Sequence, residues 1–117
     1  MPCIKITIPS LAPHHPTHHL VEAVQKAGAS VEELSLKPAD LWVYVYPGQI
    51  GGPPATLVEI LAIEKPGRTS EVMQKLAEAV GKATYEHTSL YCKGIVVFTH
   101  GLQNTKAGFF EIEPPKD

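Results

Sequence analysis

A strand, a helix and a second strand follow one another twice in this 117-residue chain, the second set about 52 to 55 positions after the first, and this recurrence constrains the fold more than any other feature. Pro2 to Ile8 alternates apolar and polar residues, with Ile4, Ile6 and Ile8 on one side; Pro9 to Pro16 then interrupts regular structure. From Thr17 the apolar positions fall at Leu20, Val21, Val24 and Ala27, a helical spacing that Gly28 can stop. The run Leu41-Trp42-Val43-Tyr44-Val45-Tyr46 is dense in aromatic and β-branched residues and reads as a second strand. In the second set, Leu57 to Ile63 is a strand, Thr69 to Thr84 a helix and Ile95 to Thr99 a strand, with Val72, Met73 and Leu76 taking the places of Leu20, Val21 and Val24.

Connections long enough to cross over make each set a right-handed βαβ unit with parallel strands. The expected fold class is α+β: two βαβ repeats, about residues 2–47 and 54–99, forming a four-stranded sheet with two helices on one face, all within a single domain over residues 1–117. Two helices cover only one side of such a sheet, whereas the strands at 41–46 and 57–63 carry apolar residues on both faces. The open face therefore calls for burial against copies of the same chain. A C-terminal strand or hairpin at about 106–113, containing Phe109-Phe110-Glu111-Ile112, is expected to pair with an exposed sheet edge.

Composition removes several classes of function. Hydrophobic residues make up 44% and charged residues 19% of the chain, as in an ordinary folded domain. A formal net charge of -2 without a run of Lys or Arg argues against nucleic acid or an anionic membrane as partner. No apolar stretch approaches the roughly 20 residues that span a bilayer, and the alternating first strand is not a secretory signal, so a cytoplasmic location is expected. Cys3 and Cys92 lack metal-finger or C-x-x-C spacing and are expected to be free thiols. His14, His15, His18 and His19 include two pairs four apart, but Pro16 divides them and no carboxylate or Cys completes a set, so no metal is expected.

Arg68 is the only arginine among ten basic residues and stands where the second helix begins. The helix dipole disfavours a cation at that end, so its placement suits a guanidinium that binds an anion; the bland alternative is a solvated side chain. Pro2 follows the initiator directly. Taken alone it is a proline starting an edge strand; after loss of Met1 it is a secondary amine, which an apolar pocket would keep unprotonated near neutral pH.

Met1-Pro2 leading into a strand, the two βαβ repeats and Pro66-Gly67-Arg68-Thr69 opening the second helix resemble the tautomerase superfamily. The segment Trp42 to Ile50 with Gly51-Gly52 is similar to its macrophage migration inhibitory factor branch, and the Gly67-Arg68-Thr69 turn to its 4-oxalocrotonate tautomerase branch. The resemblance implies a homotrimer with active sites near subunit boundaries and a cofactor-independent isomerase. In it Pro2 is the general base for keto-enol proton transfer on a small carboxylate or keto-acid substrate. It assigns Arg68 and Lys65 to the substrate carboxylate, and Lys37, Ile63 and Phe98 to the pocket. Alternatives within the resemblance are a hydratase, dehalogenase or decarboxylase using protonated Pro2, or a non-catalytic cytokine-like binding protein. Lys65 stands where the cis-3-chloroacrylic acid dehalogenase branch has a second arginine, and a lysine offers no bidentate grip. Val96 and Phe98 replace two hydrogen-bonding residues of the cytokine branch.

Overall fold

The computed structural model describes residues 2–9, 17–47, 55–63, 67–88 and 94–102. The order is β1 (Cys3–Ile8), α1 (Thr17–Ala29), two short 3-10 turns (Glu32–Leu34 and Pro38–Asp40), β2 (Trp42–Pro47), β3 (Ala55–Ile63), α2 (Ser70–Thr88) and β4 (Gly94–Leu102). Every strand and helix expected in the two repeats forms; the expected C-terminal strand at 106–113 lies outside the described residues.

The four strands are arranged β2-β1-β3-β4, with β1 parallel to β2, β3 parallel to β4, and the central pair β1 and β3 antiparallel. Each βαβ unit thus supplies half of the sheet, and the halves meet head to tail across its centre. Ile4, Ile6, Val58 and Ile60 are fully buried beneath Leu20 and Val24 of α1 and Leu76 and Val80 of α2. Burying an aliphatic side chain of this size contributes about 1.5–3 kcal/mol each. The buried positions repeat with a constant offset of 52: Ile4, Ile6 and Ile8 match Thr56, Val58 and Ile60, and Leu20, Val24 and Gly28 match Val72, Leu76 and Val80. The repeat seen in sequence is therefore a repeat in burial.

Strands β3 and β4 extend beyond their expected ranges, to Ala55 and to Gly94 and Leu102, and both ends of α2 differ from the sequence expectation. Thr69 caps α2 rather than beginning it: its hydroxyl accepts the Val72 amide at 3.2 Å and its carbonyl accepts the Met73 amide at 2.9 Å. At its other end α2 continues to Thr88. The Thr84 and Thr88 hydroxyls donate at 2.8 Å to the carbonyls of Val80 and Thr84 one turn earlier, and both residues are fully buried. Internal bonding of this kind lets a polar side chain occupy an apolar stripe, so the hydrophobic period fades before the helix does.

Thr56 is the buried polar residue whose hydroxyl finds no partner among the described residues. Its counterpart in the first repeat is Ile4, which marks the position as apolar. Thr56→Val keeps the shape and removes an orphaned hydroxyl whose burial costs about 1–3 kcal/mol. The variant should be more stable by about 1 kcal/mol, read as a higher urea midpoint with unchanged slope.

Among the described residues no helix covers the other face of the sheet. Trp42, Tyr44 and Tyr46 of β2 and Val96 and Phe98 of β4 alternate with the core-facing valines, and Tyr44, Tyr46, Val96 and Phe98 are each 44–51% exposed. Tyr44 and Tyr46 stack at 6.4 Å, and the Lys5 ammonium lies 5.8 Å from the Tyr46 ring. Lys5 also stands opposite Glu59 on this face. Among the described residues no helix is long and apolar enough to cross a membrane.

Candidate active site at the Pro2 end of the sheet

Topology brings Pro2 and the segment that carries Arg68 to one end of the sheet. β1 and β2 begin there, with Cys3 opposite Trp42, and β3 finishes there, with Leu61 opposite Cys3. The connection from α1 to β2 and the entry to α2 consequently share that end with Pro2.

Pro2 is buried. Its carbonyl accepts the Trp42 amide at 3.1 Å, which ties the residue to the first rung of the β1–β2 pairing. By the two-residue alternation of β1, it continues the core-facing series of Ile4 and Ile6. A ring nitrogen freed by loss of Met1 at such a position meets low-dielectric surroundings, which favour the neutral, basic amine.

Arg68 is half-buried immediately before the α2 cap. Burial pushes its pKa down, yet a guanidinium remains cationic under any physiological condition. With Gly67 it forms one wall of a cavity of about 350 Å³, whose other wall is Glu33, Leu34, Ser35 and Leu36. Ser35 holds left-handed backbone angles, φ 51° and ψ 43°, as it closes the 3-10 turn. This conformation costs a residue with a Cβ about 1–2 kcal/mol. The Glu33 carboxylate accepts a hydrogen bond from the Lys75 ammonium of α2. That ion pair and a bond from its own backbone hold the Glu33 pKa below the usual carboxylate range, while the same partner raises that of Lys75.

The remaining expected pocket residues are distributed less evenly. Lys37 adjoins Leu36 of the cavity wall; its side chain is exposed, and its amide donates to the Asp40 carboxylate at 2.9 Å. Ile63 closes β3 at the Pro2 end. Lys65 lies outside the described residues. Phe98 is not brought to Pro2 within one subunit: it pairs with Glu59 midway along β4, two strands from β1, on the helix-free face.

The cavity residues Glu33 to Leu36 went unnoticed in the sequence because a 3-10 turn carries no periodic pattern. The signal available was topological, since in a βαβ unit the chain leaving the first helix and the chain entering the second emerge at the same end when β1 and β3 are antiparallel. A larger open groove of about 510 Å³ lies between α2 and β4 over Gly81, Ile95 and Val97, but its charged lining is Glu78, Glu86 and Lys82, a poor match to a carboxylate. His18 and His19 are exposed in the first turn of α1 with ring centroids 4.0 Å apart; His14 and His15 lie outside the described residues, as does Cys92. Cys3 is a free, half-buried thiol whose pKa is raised by burial, against a smaller opposing effect of Lys5.

No known family profile matches the sequence, and no curated protein is significantly similar to it. Solved structures are. Pt0534 inactivated by 2-oxo-3-pentynoate superposes with a TM-score of 0.70 at 19% identity, covering 92% of this chain and 90% of that one. The symmetric trimer of Q0 fused 4-OT gives 0.68 at 19% identity over 92% and 90%. Malonate semialdehyde decarboxylase gives 0.65 at 11% identity over 93% and 91%. The likeness extends over nearly the whole of both chains in each case, and this chain has the fold of the tautomerase superfamily.

Proposed function

We propose that the protein is a cofactor-independent tautomerase that moves a proton between the keto and enol forms of a small carboxylate-bearing substrate. The observation that carries this reading is the burial of Pro2 at the same end of the sheet as the cavity walled by the chain's single arginine. The Pro2 nitrogen takes a proton from the carbon beside the carbonyl, leaving an enolate and a prolinium; return of that proton to oxygen or to a conjugated carbon restores the neutral amine. Arg68 receives the substrate carboxylate in a bidentate pair, with Lys65 adding charge and Lys37 and Ile63 framing the pocket. A base whose pKa is tuned close to the working pH serves both transfers.

The protein works in this reading as a homotrimer, like the solved fused 4-OT. The aromatic and apolar residues of the helix-free face supply the surface that such assembly buries, and Phe98 then reaches the pocket of a neighbouring subunit. A reading with protonated Pro2 as an acid draws support from the similarity to malonate semialdehyde decarboxylase. Proton position separates the two, as set out in the Discussion.

A reagent that couples to the free amine tests the site without presuming a substrate. The acetylenic keto acid 2-oxo-3-pentynoate, which inactivates Pt0534, carries a carboxylate on a ketone that makes the adjoining alkyne electrophilic, so an amine adds to the alkyne without a leaving group. Incubation should add one full reagent mass per chain, and peptide mapping should place it on Pro2. Excess phenylpyruvate should slow the labelling. Modification of Cys3 or a lysine with Pro2 untouched would count against the assignment.

A further inference from the structure

The wall facing Arg68 carries a carboxylate of its own. Glu33 lines the same cavity, and a negative charge there opposes entry of an anionic substrate and competes with it for the guanidinium. In the structure this carboxylate is turned to Lys75, 42 residues away on α2, and both side chains are exposed. The pair joins the 3-10 turn after α1, to which Glu33 belongs, to the second turn of the helix that Arg68 precedes.

We propose that Lys75 is a positioning residue that sets carboxylate affinity by holding Glu33 away from the Arg68 site and cancelling its charge. This rests on the carboxylate-binding role of Arg68 given above. Lys75 touches no substrate in this account. It acts through Glu33, so its effect exists only while Glu33 is charged. Glu71, the other acid felt by Lys75 on α2, is absent from the cavity lining and is not a competitor.

The test is a four-member cycle of wild type, Lys75→Ala, Glu33→Gln and the double variant, assayed with 2-hydroxymuconate. In parallel, phenylpyruvate binding is followed by the 15Nε resonance of Arg68, a single signal because the chain has one arginine. Lys75→Ala should raise KM and the phenylpyruvate Kd about two- to five-fold, the range expected of an exposed charge pair, with kcat little changed. Glu33→Gln should bind at least as tightly as wild type. Adding Lys75→Ala to Glu33→Gln should have no further effect, and Lys75→Arg should restore wild-type binding. An equal rise in both backgrounds, or an effect on kcat alone, would show that Lys75 merely supports the fold and would overturn the proposal, as would no change in Lys75→Ala. If phenylpyruvate fails to shift the Arg68 signal in wild type, the carboxylate-binding reading itself fails, an outcome distinct from the others.

Discussion

Pro2→Ala should lower kcat/KM for 2-hydroxymuconate by about 10²- to 10⁴-fold, the span a positioned general base contributes, while leaving the far-ultraviolet circular dichroism spectrum unchanged. The loss should fall short of complete inactivation, because an N-terminal alanine is still an amine, though a primary one without the ring that fixes its lone pair. A chain with an additional residue retained before Pro2 should be inactive, since an amide nitrogen has no basic lone pair. The sign of the pH dependence follows from the role. As a base, Pro2 works in its neutral form, so activity falls as pH drops through its pKa. As an acid it works protonated, so activity falls as pH rises. Burial outside water disfavours the charged amine, and NMR titration of the Pro2 nitrogen should accordingly show a pKa below neutral for the tautomerase. A value above neutral would transfer the assignment to the hydratase or decarboxylase chemistry, and full activity in Pro2→Ala would dispose of both.

The parts of this fold that can be read from sequence are those where burial imposes a period. The isoleucines of β1 and the series Leu20, Val24 and Leu76, Val80 face one core, so spacing alone marks their strands and helices. The end of α2 escapes because Thr84 and Thr88 satisfy their hydroxyls within the helix and enter the core as polar residues. At the site, Pro2 and Arg68 are visible because each violates an expectation of its type: one is a proline that must lose its predecessor to act, the other a lone arginine at a cationic helix end. Glu33 and Lys75 each look like ordinary surface charges, and their meeting across 42 residues, with Glu33 lining the cavity, is visible only in the fold. Phe98 was assigned by likeness to a pocket residue. Its position on the helix-free face means that this assignment depends on a contact between subunits, a property no single strand's pattern can encode.

Arg68→Ala should raise KM for a carboxylate substrate by about 10- to 100-fold, the equivalent of losing a charge-assisted bidentate hydrogen bond worth roughly 1.5–3 kcal/mol. Arg68→Lys should lie between, keeping the charge but not the planar fork. Because Arg68 stands before the Thr69 cap rather than within α2, its removal should leave the helix intact, and it takes a cation away from the helix's positive end. The decisive comparison uses the enol of phenylpyruvate and its methyl ester. If Arg68 grips the carboxylate, Arg68→Ala should abolish the wild-type preference for the acid and barely alter kcat/KM for the ester, which already lacks the charge being recognised. A variant that loses the same factor on both substrates would mean that Arg68 acts on the reacting carbonyl or on the fold. The substrate carboxylate would then have to be sought by another cation, with Lys37 beside Leu36 of the same cavity wall the next to replace.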